Sequence, residues 1–559
     1  MDAQLRNADG SLIYRTGLEY DAQNRLTALK ETLPTQQFRT AYTYDNDNRV
    51  TGMTFDGENA LSYTYDNLGR IATRTTGPLS STYSYVGGGY GAGSTTPLVS
   101  SIQQTGISFS YTYDNRGNIT SETRNGVTST YEYDALGQLI RVNDPHENAT
   151  WVYNYDRGGN ITSKVKYAFT TGDLGAAIEM IPYAYGDANW KDKLTAYNGT
   201  TITYDAIGNP LNDGTWNYTW TAGSQLAQMS KNGMTIQYKY DHNGMRVLKN
   251  VNGIETKFIL HGMLLTHLYS ENNWMHFFYD IQGRPAKVRY NGTIYSYIHN
   301  LQGDVVGIID TDGNVVVEYK YDAWGKHLST TGSMAGTLGN LNPFRYRGYI
   351  YDEETGLYYL RSRYYNAATL RMISSDEFVV IGTEIAPSNL FYYGRNNPGI
   401  YVDSDGRREE ALVATPQPPD EVKELARIYD VELPAYGYKS YSEYERYIVV
   451  YYDVMEYSRG SEIIFYETEF YFDKKETKLH EFWTGKNRVY YDAAWDAIGE
   501  VASPLASVAL TIAQALIDER LSFYASRVKV RKRRIKRWFR KGKEMPPEVG
   551  RWELEAVGR

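Results

Sequence analysis

A tandem repeat built on tyrosine and aspartate most constrains how this chain can fold. It reads YTYDNDNRV from residue 42, YTYDNLGRI from 63, YTYDNRGNI from 111, YEYDALGQL from 131, YNYDRGGNI from 153, ITYDAIGNP from 202, YKYDHNGMR from 238 and YKYDAWGKH from 319. The spacing indicates a unit of about 20 to 24 residues, with some copies degenerate. Recurrence at a nearly fixed period predicts an array whose units pack on one another.

Each unit reads as a strand, a turn and a second strand. Tyrosines two residues apart lie on the same face of a strand, and the Asp, Asn and Gly residues that follow favour turns. A single hairpin cannot bury its own face, so neighbouring units are expected to form a continuous sheet. The 54 tyrosines and 50 glycines among 559 residues agree with a mainly β fold.

Composition excludes several kinds of chemistry. The chain has no cysteine, which rules out disulfides, cysteine-based zinc sites and a thiol nucleophile. No metal site and no cofactor is predicted. The first residues carry no signal segment, so we expect either an N-terminally truncated chain or an export route outside this sequence.

A second specific pattern lies near residue 400. Residues 344–376 read FRYRGYIYDEETGLYYLRSRYYNAATLRMISSD, and residues 389–406 read NLFYYGRNNPGIYVDSDG. Together with the repeats, this segment resembles the Rhs family of YD-repeat proteins and its repeat-associated core, over about residues 10 to 407. Gram-positive wall-associated proteins and the C subunits of Tc toxins belong to that family.

The resemblance implies a fold and a domain order. The expected fold is mainly β, with tandem hairpins in a spiralling shell that this short array need not close, followed by a small α+β domain. The expected divisions are a repeat array at 1–343, a core and plug at 344–407, a linker at 408–420 and a variable effector domain at 421–559.

The core segment also carries candidate catalytic residues. Two neighbouring carboxylates cannot both ionise easily, so one can hold a proton while the other activates water, as in aspartic proteases. The resemblance implies that Arg363, Asp376 and Asp403 carry out self-cleavage after Arg407. The alternative is that Asp403 and Asp405 only form a turn that closes the last strand.

The sequence after residue 420 changes in character. Residues 443–458, 461–476 and 477–491 read as strands of an antiparallel meander, and a helix is predicted from Ser503-Pro504 onward. The uncharged stretch 501–517 is short for a membrane span, so a packed helix is the favoured interpretation. His480 and Glu481 are neighbours on a predicted strand and make a poor acid–base pair, and no catalytic motif is recognised in this domain.

A strongly basic segment lies close to the C-terminus. Residues 527–543 carry 11 Lys or Arg and no acid, while the whole chain has a net charge of −8. One interpretation is the solvated cationic end of a helix. The others are contacts with nucleic acid or an anionic membrane, for which the candidates are Arg531, Lys532, Arg533, Arg534, Lys536, Arg537 and Trp538.

Three functions follow as hypotheses. The first is a secreted or cell-surface toxin-delivery protein, whose C-terminal module would imply a cognate immunity protein as partner. The second is a carbohydrate-binding or adhesion protein, which would need exposed rows of tyrosine to stack on glycans. The third is a truncated Rhs fragment without function.

Overall fold

The computed structural model describes residues 2–6, 12–87, 95–376 and 389–407, and beyond them the backbone of eight strands between 409 and 556. The chain divides into two compact units, Met1–Val413 and Ala414–Arg559. The domain boundaries expected at 343, 407 and 420 stay predictions.

The first sheet of the N-terminal unit has 18 strands. Each strand pairs antiparallel with the strand that follows it in the sequence. The strands are β1 (Asp2–Arg6), β2 (Leu12–Tyr20), β3 (Leu26–Thr32), β4 (Gln37–Tyr44), β5 (Val50–Phe55), β6 (Glu58–Tyr65), β7 (Ile71–Thr76), β8 (Leu79–Gly87), β9 (Thr95–Gln104), β10 (Ile107–Tyr113), β11 (Ile119–Arg124), β12 (Val127–Tyr133), β13 (Leu139–Asp144), β14 (Ala149–Tyr155), β15 (Ile161–Ala168), β16 (Ala177–Ala184), β17 (Ala196–Tyr197) and β18 (Thr200–Thr201).

The second sheet has 14 strands with the same sequential antiparallel order. They are β19 (Thr203–Tyr204), β20 (Pro210–Asn212), β21 (Asn217–Thr221), β22 (Gln225–Lys231), β23 (Met234–Tyr240), β24 (Arg246–Val251), β25 (Ile254–His261), β26 (Leu264–Ser270), β27 (Asn273–Tyr279), β28 (Pro285–Tyr290), β29 (Thr293–His299), β30 (Val305–Ile309), β31 (Val315–Tyr321) and β32 (His327–Thr331). Among the described strands no pairing joins the ends of either sheet, so the array is not a closed barrel.

One repeat shows why the sequence folds this way. Tyr63 is buried, whereas Tyr65 is half-buried and its hydroxyl donates to the Val50 carbonyl at 2.6 Å. In the turn, Asp66 Oδ1 accepts the backbone N–H of Arg70 at 2.9 Å and Asp66 Oδ2 accepts its Nε at 2.7 Å. Gly69 has φ +76°, the left-handed conformation that glycine tolerates. The predicted strand–turn–strand unit is therefore confirmed, with tyrosine and aspartate each satisfying backbone groups.

The two sheets share a hydrophobic core. Phe55 of the first sheet stacks on Phe278 of the second with ring centroids 4.2 Å apart. Arg74 and Asp280 form a buried ion pair between the sheets at 3.4 Å. Stacking one sheet on the other buries the faces that single hairpins would leave in water.

The core segment packs against the repeats as a small sheet with short helical turns. Its strands are β33 (Ile350–Asp352), β34 (Leu357–Tyr359), β35 (Tyr364–Asn366) and β36 (Arg371–Met372), followed by the hairpin of β37 (Tyr401–Asp403) and β38 (Glu409–Ala411); the helical turns are Ala335–Gly339, Tyr346–Gly348 and Gly394–Asn396. The Tyr365 and Tyr358 hydroxyls donate to the carbonyls of Trp324 at 2.7 Å and Gly325 at 2.6 Å. These bonds fix the core segment to the last repeat turn.

The C-terminal unit contains a seven-stranded sheet, consisting of β39 (Tyr438–Glu443), β40 (Tyr447–Glu456), β41 (Glu462–Asp473), β42 (Lys529–Arg540), β43 (Lys543–Glu544), β44 (Glu548–Val549) and β45 (Glu553–Ala556). Residues 529–540 of the basic segment form strand β42, so the interpretation of this part as a helix end is wrong. The segment forms a strand because it contains β-forming residues and because β41, a strand of 12 residues, pairs with it.

Other expectations for the C-terminal part fall outside the described residues. These are the helix from Ser503, the uncharged stretch 501–517, the strand at 477–491 and the pair His480 and Glu481. Within the part of the chain that the structure describes, no helix has the length and apolar character needed to cross a membrane.

Candidate functional site

The three predicted catalytic residues meet in the core segment. Arg363 directly precedes β35, Asp376 follows β36, and Asp403 ends β37. Arg363 Nη2 lies 3.0 Å from Asp376 Oδ2 and 3.1 Å from Asp403 Oδ2. The two carboxylate oxygens are therefore no more than about 6 Å apart. We call these three residues the Arg363 cluster.

The guanidinium of Arg363 is held by backbone carbonyls as well as by the two acids. Its Nη1 donates to the Leu390 carbonyl at 3.1 Å, and its Nε donates to the Gly406 carbonyl. The backbone N–H of Asp376 donates to the same Leu390 carbonyl at 2.9 Å. The shared acceptor therefore holds Arg363 and Asp376 against the same point of the backbone.

Asp403 lies in a tyrosine-lined interior. It is 0% exposed, and its backbone N–H donates to the Tyr349 hydroxyl at 3.0 Å. The Tyr349 and Tyr393 hydroxyls lie 3.1 Å apart. Burial away from water strengthens the interaction between Asp403 and Arg363.

Asp405 has a different role from Asp403. Its Oδ1 accepts the backbone N–H of Arg407 at 3.0 Å, and its carbonyl accepts the Ser362 hydroxyl at 2.7 Å. At Gly406, with φ +76°, a Cβ would lie 2.5 Å from Ser362 Oγ, so only glycine fits. The turn interpretation thus describes Asp405, while the Arg363 cluster contains Asp403.

Arg407 lies exposed just after this turn. The hairpin that follows pairs Asp403 with Glu409 and Tyr401 with Ala411. The bond after Arg407 therefore belongs to the connection between two paired strands. Because Arg407 is exposed, its guanidinium remains hydrated.

Sequence reasoning missed the role of the asparagines in the phrase NNPG. Asn397 Nδ2 donates to Asn118 Oδ1 and to the Gly137 carbonyl, both at 2.8 Å. Asn396 Nδ2 donates to the Gly159 carbonyl at 2.7 Å. Both asparagines are buried and bind the turns of three successive repeats. Two adjacent asparagines before Pro-Gly indicated a turn. The sequence could not show that their side chains bind the turns of distant repeats.

Sequence reasoning also missed a group of three side chains of the types that bind metal ions. Glu31, His267 and His276 are buried, and one ligand atom from each lies within 4.8 Å of the others. The sequence predicted no metal site because the residues show no short ligand spacing. Glu31 belongs to the first sheet and both histidines to the second.

A buried acidic group, Glu122, lies in a cavity between the sheets. The cavity is lined by Glu122, Asp304, Arg347 and other residues of both sheets. Burial, with the charge of Asp304 next, raises the pKa of Glu122 to about 7. Gln302 Nε2 donates to Glu122 Oε2 at 3.2 Å. The carboxyl therefore titrates near neutral pH.

Comparison with known proteins assigns the fold and the family. The Teneurin YD-shell family model matches residues 96–399, which is more than half of the chain. The tRNA3(Ser)-specific nuclease WapA of Bacillus spizizenii is 38% identical over 225 residues, and the tRNA nuclease WapA of Bacillus subtilis strain 168 is 37% identical over 225 residues. Each match covers 39% of this chain and 10% of the relative, so this chain spans only a tenth of their length.

Solved structures agree on the fold. The crystal structure of TcdB2–TccC3–TEV has a TM-score of 0.53 at 20% identity, over 70% of this chain and 21% of that one. A Tc holotoxin pore from Photorhabdus luminescens also has a TM-score of 0.53 at 20% identity, over 72% of this chain and 22% of that one. Together with the sequential β-hairpins, the family match shows that the chain belongs to the YD-shell family of Rhs-type YD-repeat proteins.

Proposed function

We propose that the chain is a toxin-delivery protein, in which the YD array and core segment carry a C-terminal effector that the Arg363 cluster releases by self-cleavage. The relatives named as tRNA nucleases and the Tc toxin structures support a toxin-related role. Export to the cell surface or medium, and a cognate immunity protein, belong to the same proposal.

The observation that carries the cleavage proposal is the position of one buried arginine between two aspartates. Arg363 contacts Asp376 and Asp403 through the same nitrogen. Its Nε also donates to the carbonyl of Gly406, one residue before the bond expected to break. This bond holds the backbone beside the expected cut against the cluster, and a charged donor on a carbonyl would stabilise the oxyanion directly only if the cut fell at Gly406.

The charges of the cluster suit the acid–base roles of an aspartyl protease. One guanidinium and two carboxylates leave one negative charge, and burial disfavours that net charge. A single proton on one carboxyl would make the cluster neutral. That carboxyl then serves as the acid toward the leaving amine, and the other carboxylate activates water.

Denaturing gels and intact mass measurement test this step on the purified full chain. We expect two products, with the smaller covering the 152 residues 408–559. A smaller product that starts at Arg407 would place the cut at the Gly406 carbonyl instead. Asp403→Asn and Asp376→Asn should each give one full-length band.

Asp405→Asn is the matched control, because Asp405 accepts a turn hydrogen bond outside the cluster. We expect this variant to be cut like the unmodified chain. A single full-length band from the unmodified chain, with native circular dichroism, would refute the cleavage proposal.

The effector proposal has a separate test. Expression of residues 408–559 inside a bacterium should stop growth, whereas harmless expression at high yield would contradict a toxic role. The DNA or RNA contact proposed for β42 should weaken steeply as salt rises, because bound phosphates release counterions. A binding constant that ignores salt would rule out phosphate contact.

The register of β42 offers an alternative to a free basic surface. Glu553 stands opposite Lys532 on one neighbouring strand, and Glu469 stands opposite Arg533 on the other. Oppositely charged residues paired across strands stabilise a sheet. Lys532→Gln and Arg533→Gln should therefore reduce nucleic-acid binding if β42 is the contact, and reduce thermal stability alone if its charges serve the sheet.

Glycan binding has less support among the described residues. The first tyrosine of several repeats is buried, including Tyr63, Tyr111, Tyr153, Tyr238 and Tyr319. The second tyrosine is only partly exposed, and its hydroxyl is bonded to a backbone carbonyl, as in Tyr113 with Val99 at 2.7 Å. Rows of this kind do not present the open aromatic faces on which sugars stack.

A further inference from the structure

Three buried side chains lie together where the two sheets of the N-terminal unit meet. His267 on β26 and His276 on β27 are directly paired across strands, and both are 0% exposed. Glu31 on β3 of the first sheet is 3% exposed, and its Oε2 lies 3.1 Å from His276 Nε2. The two imidazole rings stack with centroids 4.1 Å apart.

We propose that Glu31, His267 and His276 form a transition-metal site of the zinc type that joins the two sheets. Two imidazoles and one carboxylate are a ligand set that zinc accepts. Three protein ligands leave a fourth position for water or another group.

The hydrogen bonds around His267 leave its Nε2 atom available to bind a metal ion. The Thr266 hydroxyl donates to the Ile259 carbonyl at 3.1 Å, so its oxygen is left to accept from His267 Nδ1 at 3.0 Å. That bond puts the proton on Nδ1 and leaves a lone pair on Nε2. His267 Nε2 is buried and has no hydrogen-bond partner. Metal-binding histidines are oriented in the same way by a partner on the other ring nitrogen.

Glu31 has the support that a carboxylate ligand needs. Its Oε1 accepts the Tyr14 hydroxyl at 2.6 Å, which leaves Oε2 directed at His276. A carboxylate buried this deeply needs a charge partner, and a bound divalent cation would supply it.

One of the distances between ligand atoms already suits a tetrahedral site. Zinc–ligand bonds of about 2.0 to 2.2 Å place neighbouring ligand atoms about 3.3 Å apart. The Glu31–His276 pair is already at 3.1 Å, and all three ligand atoms lie within 4.8 Å. The two imidazole rings stack within 8° of parallel, so at least one ring must turn for both nitrogen lone pairs to point at one ion. Phe38, with its centroid 4.0 Å from that of His276, keeps the site apolar on one side.

Metal analysis of the full chain tests the proposal. The protein is made without a histidine tag in minimal medium supplied with zinc, and in parallel with cobalt. We expect about one metal ion per chain, since the site has one set of ligands. The cobalt form should show the visible absorption bands of a low-coordinate site. No stoichiometric metal, and no rise in melting temperature with zinc, would overturn the proposal.

Variants identify the ligands. His267→Gln and His276→Gln should each weaken zinc binding by at least the roughly 10- to 100-fold seen when outer-shell partners of a metal site are lost. His299→Gln is the matched control, because His299 is also buried in the second sheet but belongs to no such group among the described residues. This control should keep its metal, and an equal loss from it would contradict the assignment.

Milder changes cover the case in which a histidine variant does not fold. Thr266→Val removes the acceptor of His267 Nδ1, and Tyr14→Phe removes the donor to Glu31. Each should lower zinc affinity by about 10- to 100-fold. Unchanged affinity in both variants would show that the metal binds elsewhere.

Discussion

The repeat turns and the core segment use the same pair of residues, aspartate and arginine, at different depths. In a repeat turn, the side chains of Asp66 and Arg70 are 25% and 21% exposed and lie 2.6 Å apart. Where the core segment packs on β24, the side chains of Arg246 and Asp352 are 0% and 1% exposed and lie 2.5 Å apart. Burial determines how strongly such a pair stabilises the fold, because water screens the exposed pair and does not screen the buried one.

The pKa of Asp352 reflects this difference. Burial on its own would raise it, but Arg246 and then Lys249 outweigh burial and hold the pKa below its usual value. A buried carboxylate with close cations stays charged and fixes the core segment to β24. At Glu122, burial and the charge of Asp304 outweigh Arg124 and Arg347, and its pKa moves in the opposite direction.

The largest expected effect comes from breaking the buried pair. Arg246→Met leaves Asp352 buried with Lys249, at 3.2 Å, as its remaining cation. We expect a loss of about 3 to 5 kcal/mol in the free energy of unfolding, as for other broken buried pairs. Denaturant titration followed by tyrosine fluorescence measures it.

The double variant Arg246→Met/Asp352→Leu is the control for charge. Replacing both partners with apolar residues should restore most of the stability, because no charge is left unpaired. A loss below about 1 kcal/mol in the single variant would show that the pair behaves like a surface pair.

A smaller effect is expected from the asparagines that bind the repeat turns. Asn397→Ala leaves the Gly137 carbonyl and Asn118 without their partner in a buried place. The expected cost is about 1 to 3 kcal/mol, the desolvation penalty of an unsatisfied polar group. Asn314→Ala, at an exposed repeat turn, is the control and should change the unfolding midpoint far less.

The dependence of stability on pH tests the raised pKa of Glu122. The pKa of Glu122 is raised to about 7 in the folded protein, against about 4.3 in an unfolded chain. Its contribution to stability is therefore complete below about pH 4 and is lost as pH rises through about 7. Melting curves between about pH 5 and 8 should show this loss in the unmodified chain, with a smaller slope in Glu122→Gln.

Glu132→Gln is the matched control for that experiment. The Glu132 side chain is 53% exposed on the neighbouring strand, so this variant should keep the slope of the unmodified chain. Equal slopes in all three proteins would mean that Glu122 is ionised in the fold at the same pH as in water.

The smallest effect is expected at the repeat turn itself. Arg70→Ala removes the bond to Asp66 and the guanidinium that lies 3.8 Å from the centre of the Tyr85 ring. We expect a loss under about 1 kcal/mol that shrinks further in high salt. A loss as large as that of Arg246→Met would remove the distinction between the two regions.

The sequence by itself determined the repeating unit of this protein. Tyrosine period, turn residues and unit length act over a few residues, so the hairpins and their sequential pairing follow from local chemistry. The sequence also identified the family, because the order of residues in 344–406 is specific to it. The strand formed by 529–540 was missed, since a basic run has no strong periodicity and its pairing partner lies in a distant segment.

The tertiary structure decided which side chains meet. Arg363 and Asp403 are 40 residues apart in sequence, and Glu31 and His276 are 245 apart. The family resemblance suggested the first set, and nothing in the sequence suggested the second. Such contacts depend on how the two sheets pack and on where the core segment docks. Neither can be read from the spacing of residues along the chain.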